Sequence, residues 1–412
     1  MTSGRSLLLF LVLALAAGCG GGGGGGRSTG VGVTGPSVTG NNVLSITVNG
    51  SLCSPATSAF YINKPCVSVT VCSPGAPSTC QTINDILLDT GSYGLRIFKS
   101  VLSPALSFTQ VASGSGALAE CVQFADGSAE WGPVQVAGVR LASEPTVTVP
   151  LQVIDPGFAN ISTSLTATIC PGADQSPAAA GFNGILGVGV FVEDCGQACA
   201  NSPANGMYFS CSGSGCTGTS AALAQQVRNP VALLPQDHNG VIVMLPSVPP
   251  NGAAWVTGSL VLGIGTQTNN APSGVTAYPT DQFGEFTTVI SGSAAAYSGF
   301  LDSGSNGLFF TPPSPSRLPE CSAPNAGWFC PPSPVSLSAT NTGSSGSPSG
   351  MVPFPIGNFN ILVSSYSYVF ANVGGSAPGI FDWGLPFHFG RNVYVGIEGK
   401  GSSLGSGPYV AY

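Results

Sequence analysis

A chain of 412 residues with ten Lys plus Arg against seventeen Asp plus Glu, net charge −7, cannot build the basic surface that a nucleic acid demands. Its 59 Gly and 34 Pro break up every apolar run, and no long stretch has helical periodicity, so mainly β structure is expected. The length exceeds what one core usually supports, which predicts two lobes. Only two histidines are present, so most His-based catalysis and zinc ligation drop out, and no metal or cofactor is expected.

The first 18 residues have the shape of an export signal. Arg5 supplies a positive start, and residues 7–17 form an apolar run. That run is shorter than the roughly 20 residues a membrane-crossing helix needs. It ends Leu15-Ala16-Ala17-Gly18-Cys19, which resembles the lipobox of bacterial lipoproteins and implies lipidation of Cys19. The alternative is ordinary signal cleavage and a secreted product. Glycines 20–26 then read as a flexible tether, and tether and linker occupy residues 19–42.

Residues 43–48 and 66–72 alternate as strands do, and an apolar run then leads to Leu88-Asp89-Thr90-Gly91-Ser92-Tyr93-Gly94-Leu95. A strand ending in Asp-Thr-Gly-Ser carries a carboxylate onto a tight turn whose hydroxyls can brace it. Gln123-Phe124-Ala125-Asp126-Gly127-Ser128 reads as a hairpin turn. Phe182-Asn183-Gly184-Ile185-Leu186-Gly187 follows as an apolar-Gly element. A lobe boundary is placed between residues 240 and 241.

The second lobe repeats these marks in the same order. Leu301-Asp302-Ser303-Gly304-Ser305-Asn306-Gly307-Leu308 matches the first motif at six of eight positions, 213 residues on. Phe381-Asp382-Trp383-Gly384-Leu385 then stands for the second apolar-Gly element. Two independent marks repeated in order define an internal duplication. Asp382 occupies an apolar place in this element and reads as a turn or capping carboxylate rather than a member of the site. Twelve cysteines besides Cys19, an even number in an exported chain, predict up to six disulfides. Cys72/Cys80, Cys211/Cys216 and Cys321/Cys330 are the favoured local pairs.

On these residues the chain resembles the pepsin-like aspartic peptidases, whose lobes each carry Asp-Thr/Ser-Gly-Ser/Thr and a later hydrophobic-hydrophobic-Gly strand. The combination of paired motif and lipoprotein leader also resembles a bacterial lipoprotein family of unknown function. The resemblance implies an all-β, bilobal double-barrel fold with a cleft between residues 43–240 and 241–412. It implies a catalytic pair, Asp89 and Asp302, supported by Thr90, Gly91, Ser92, Ser303, Gly304 and Ser305, with Phe124 on the flap. Phe124 stands where the family has a Tyr, and Arg96 where many members have a flap-supporting Trp. The implied function is an acid endopeptidase of the cell envelope, monomeric, acting on a peptide or protein and held to the membrane by lipid. A catalytically silent binding protein using the same cleft is the alternative.

Overall fold

The structure, a computed structural model, describes residues 31–54, 61–76, 78–160, 168–213, 215–314 and 318–412; the leader and Cys19 lie outside these. The chain is mainly β, with 42% of residues in strands and 9% in helix, as the turn-rich composition leads one to expect. Pro177–Ala180, Gln197–Asn201, Phe359–Val363 and Leu385–His388 are single helical turns.

Six strands close into a barrel: β1 (Pro65–Cys72), β2 (Cys80–Asp89), β3 (Tyr93–Phe98), β4 (Ala129–Arg140), β5 (Val147–Ile154) and β6 (Gly184–Val188). Around the ring β1 pairs with β2, β2 with β6 in parallel, and β6 with β3. β3 then pairs with β5 in parallel, β5 with β4, and β4 returns to β1. In β1 the buried Val67, Val69 and Val71 alternate with the more accessible Ser68 and Thr70, the period that sends every second side chain to the core.

A second, open sheet contains β7 (Phe286–Ile290), β8 (Tyr297–Leu301), β9 (Leu308–Phe310), β10 (Val335–Thr342), β11 (Ser349–Ile356), β12 (Gly374–Ser376) and β13 (Ile380–Trp383). Its order is β11-β10-β7-β8-β13-β9-β12, a half-barrel. The pairing β8 parallel to β13, β13 antiparallel to β9 and β9 parallel to β12 reproduces β2, β6, β3 and β5 of the barrel. The duplication is therefore one of topology as well as of sequence.

Further strands continue the barrel's sheet, Val43–Val48 pairing with β1. Val256–Leu262 lies between Val43–Val48 and Gly240–Leu245, and Gly240–Leu245 pairs on with Arg391–Gly396. Val33–Thr34 runs parallel beside Val256–Thr257. Strands drawn from both ends of the chain thus share one sheet.

All twelve described cysteines form disulfides. The three expected local pairs are present, together with Cys53–Cys66, Cys195–Cys199 and the longer-range Cys121–Cys170. None joins a residue before 240 to one after it.

Candidate active site

The two repeated turns meet. β2 delivers Asp89 to the first turn and β8 delivers Asp302 to the second, and each turn returns the chain into an antiparallel neighbour of the apolar-Gly strand. Thr90 and Ser303 clasp the turns together in four hydrogen bonds. The Thr90 hydroxyl donates to the Leu301 carbonyl at 3.0 Å, and the Ser303 hydroxyl donates to the Leu88 carbonyl at 2.7 Å. Each hydroxyl also accepts the other residue's backbone N–H, at 3.1 Å onto Ser303 Oγ and 2.9 Å onto Thr90 Oγ1. Every donor and acceptor in this buried clasp is used, which is what makes a polar contact stabilising in a low-dielectric interior.

The glycines fix the approach. A Cβ on Gly91 would lie 2.7 Å from Asp302 Cγ, and one on Gly304 would lie 2.9 Å from Asp89 Cγ. Each turn therefore presents bare backbone to the carboxylate of the other, and any side chain there would push the pair apart. Within each turn the carboxylate is held from its own side. Gly91 N–H donates to Asp89 Oδ1 at 2.7 Å, and Ser92 Oγ donates to Asp89 Oδ2. Gly304 and Ser305 N–H donate to Asp302 Oδ1 at 2.8 and 3.1 Å, and Ser305 Oγ donates to Asp302 Oδ2 at 2.8 Å.

Each carboxyl lies against the glycine of the other turn, close to its counterpart, and Asp302 is raised well above the ordinary carboxylate range. Burial is the main cause, followed by the neighbouring charges of Asp89 and Asp382, while the Ser305 hydroxyl opposes the shift. Two carboxyls this close disfavour double ionisation, so the pair is suited to holding one proton between them.

Around the pair the structure sorts the remaining residues. Phe124 opens the turn of the hairpin between Gly116–Gln123 and β4, which is closed by Phe124 N–H to Ser128 O at 2.9 Å. Phe124 packs with Tyr61 against Leu87, Phe98, Ile154, Phe182 and Ile185. Tyr61 is a residue that sequence reasoning missed. Its hydroxyl donates to the Gly304 carbonyl at 3.4 Å. Its phenol is raised by burial first, then by Asp126 on the hairpin tip, Asp302 and Asp89. Nothing local in the sequence marks Tyr61, because it stands 28 residues before Asp89 and only the fold carries it to the second turn. Asn63 fastens the same segment, donating to the Asn306 and Phe370 carbonyls at 2.8 and 2.9 Å.

Arg96 does not support the hairpin as an apolar residue would. It is fully buried and donates to Glu120 at 2.7 Å, Asp194 at 2.9 Å and the Tyr93 carbonyl at 2.7 Å. Tyr208 completes the network with a 2.6 Å bond to Asp194. Such a cluster is costly to desolvate; its opposite charges offset one another, while Arg96 Nε and Glu120 Oε2 are left without a hydrogen-bond partner. Asp382 departs from the expectation of a turn or cap: it lies inside β13, buried, one residue before Trp383. Trp131 is a core side chain packed on Phe209, and buried His388, with its pKa pressed down to about 3 by burial, is neutral across the working range.

Residues 38–412 match the model of a family described as Protein of unknown function (DUF3443), and the chain belongs to that family. A search of curated proteins finds no match.

Proposed function

We propose that this protein is an aspartic-type endopeptidase of the bacterial cell envelope, built on a bilobal pepsin-like plan with residues 43–240 and 241–412 as its lobes. The observation that carries the reading is the reciprocal Thr90–Ser303 clasp, which sets Asp89 and Asp302 in contact on two facing turns. Few structural needs call for a buried carboxyl and a partly exposed one held against each other with their supporting donors in place; hydrolysis by general acid and base does.

In this mechanism the pair carries one proton. Asp302, raised by its burial, holds it and donates toward the scissile carbonyl, while its partner takes a proton from the attacking water. The backbone N–H groups of Gly91, Gly304 and Ser305 keep each carboxyl oriented as charge moves between them. In this reading the hairpin carrying Phe124 serves as the flap, and the substrate is a peptide or protein. Six disulfides support export to an oxidising compartment, and Cys19 is the proposed lipid anchor. A monomer suffices, because one chain supplies both carboxyls.

One observation favours the second reading, a silent binding protein: Phe124 brings no hydroxyl to the hairpin turn. The deciding experiment digests a mixed peptide library with purified protein between about pH 3 and 7, where a carboxyl pair holds one proton, and follows products by mass spectrometry. Cleavage that Asp89→Asn lowers by about a thousandfold or more supports the peptidase. Absence of cleavage by the wild type throughout that range supports the silent reading.

A further inference from the structure

The duplication allows a residue-by-residue comparison of the two turns. In the first unit Leu88 pairs with Leu186 and Leu87 with Ile185; in the second Leu301 pairs with Trp383 and Phe300 with Asp382. Across the antiparallel side Ile185 faces Arg96 and Asp382 faces Phe309. Asp382 thus stands where the first unit has Ile185, a buried apolar residue. The chain has replaced an isoleucine by a carboxyl directly behind the second turn.

That carboxyl has an unusual set of neighbours. It is buried, and its Oδ1 has no hydrogen-bond partner. It lies within hydrogen-bonding reach of Ser305, the residue whose hydroxyl donates to Asp302 Oδ2 at 2.8 Å. The charged groups that act on it are carboxyls: Asp89, and Asp302 through their mutual repulsion. Among the described residues no Lys, Arg or His contributes. The strands on either side, β8 and β9, bring Phe300 and Phe309 against it and carry no charged residue.

With the Ser305 proton given to Asp302, the remaining hydrogen bond can run in only one direction. The Ser305 hydroxyl has a single proton, committed to Asp302, and offers only lone pairs to any other neighbour. An ionised Asp382 would set lone pairs against lone pairs in an apolar slot with no cation. A carboxylic acid there donates instead. Burial, opposed by Ser305 and joined by the charge of Asp89, raises Asp382 well above the ordinary carboxylate range.

We propose that Asp382 is a positioning acid for the pair, donating its carboxyl proton to Ser305 Oγ and so locking the Ser305 hydroxyl as a donor to Asp302 Oδ2. The chain Asp382→Ser305→Asp302 orders one face of Asp302 from behind and leaves the other face to Asp89. Deprotonation of Asp382 turns it into a competitor for the Ser305 proton, which withdraws support from the pair.

This inference rests on Asp89 and Asp302 acting as one pair, but its test does not require turnover. The full chain is labelled with carboxyl-¹³C aspartate, and the signals of Asp89, Asp302 and Asp382 are assigned by single Asn variants and followed through a pH titration. In the wild type the Asp382 signal should remain in its protonated position after the exposed aspartates have ionised. Asp382→Asn keeps an N–H donor for Ser305 and should leave the titration of the pair in place. Asp382→Ile, the residue of the first unit, removes the donor and should raise the pair's midpoint by roughly half a pH unit or more, the size expected for a weakened hydrogen bond to a carboxylate. If Asp382 acted as a buried negative charge, both variants would lower the midpoint together, and that result overturns the proposal. So does a midpoint that moves in neither variant, or an Asp382 signal that ionises with the exposed groups. Should Asp382→Ile fail to fold, the wild-type signal and Asp382→Asn still decide. A protein that shows this pattern yet cleaves no peptide keeps the positioning role and loses the peptidase reading.

Discussion

The two copies of the Asp-bearing unit have the same strand pairings but live in different surroundings. The first is closed into a six-stranded barrel, packed with Val, Ile and Leu and stapled by disulfides such as Cys53–Cys66 and Cys72–Cys80. The second lies in an open sheet whose order comes from aromatic stacking. Phe310 stacks on Phe381 at 4.9 Å and Phe381 on Trp383 at 4.2 Å, and Trp383 donates to Thr288 at 3.2 Å. A single described disulfide, Cys321–Cys330, serves that half. The buried charge differs as well. Arg96 in the first unit is neutralised by Glu120 and Asp194, whereas Asp382 in the second meets no cation among the described residues. What stays constant between them is the clasp and the turn, which shows that the geometry of the pair constrains the chain more tightly than the packing that supports it.

Disulfide removal should separate the two halves most strongly. Replacing Cys121 and Cys170 by Ala opens a link of sequence separation 49, for which chain entropy gives about 4 kcal/mol of lost stability, against about 3 for Cys321–Cys330 with its separation of 9. Denaturant unfolding followed by near-ultraviolet circular dichroism measures both. Equal losses would mean that the unfolded chain is not the reference that matters.

The clasp should respond alike from either side. Ser303→Ala removes the donor to Leu88 O and the acceptor of Thr90 N–H, and Thr90→Val does the mirror-image damage. Each buried group left unpaired costs about 1–3 kcal/mol. Urea midpoints that fall by comparable amounts in the two variants support a symmetric clasp; a loss confined to one would show that the halves do not share it.

The buried acids set a smaller but more general effect. Glu130, Asp194, Asp302 and Asp382 are all raised by burial, Asp174 to about 6 and Glu144 to about 7. The folded state therefore binds protons that the unfolded chain has released, so stability is fullest in acid and declines as pH rises toward neutrality. His388, held down to about 3, works in the opposite sense, since the unfolded chain protonates it first, but it is one group against six. Thermal melts should give a higher Tm at about pH 4.5 than at about pH 7.5, on either side of the raised values. A Tm that climbs toward neutrality would contradict the burial of these groups.

Much of this was legible in the sequence because the decisive signals were local. The duplicated eight-residue motif, the apolar-Gly elements and the short Cys loops each declare themselves within ten residues. What stayed hidden depends on distance along the chain. The pairing of Val43–Val48 with Val256–Leu262 leaves no local mark, and neither does the arrival of Tyr61 at the second turn. Arg96 was visible only as a departure, since its partners Glu120 and Asp194 lie 24 and 98 residues away. Asp382 was misplaced for a related reason: a carboxylate beside a glycine reads as a turn, and only the strand register puts it behind Ser305.

The central claim is that Asp89 and Asp302 flank one spot where a tetrahedral centre forms. A peptide whose scissile carbonyl is replaced by a secondary alcohol mimics that centre, and its binding is measured by calorimetry at several values between about pH 3 and 7. The account predicts one molecule bound per chain, with binding lost in both Asp89→Ala and Asp302→Ala while circular dichroism stays unchanged. Undiminished binding in either variant would contradict it.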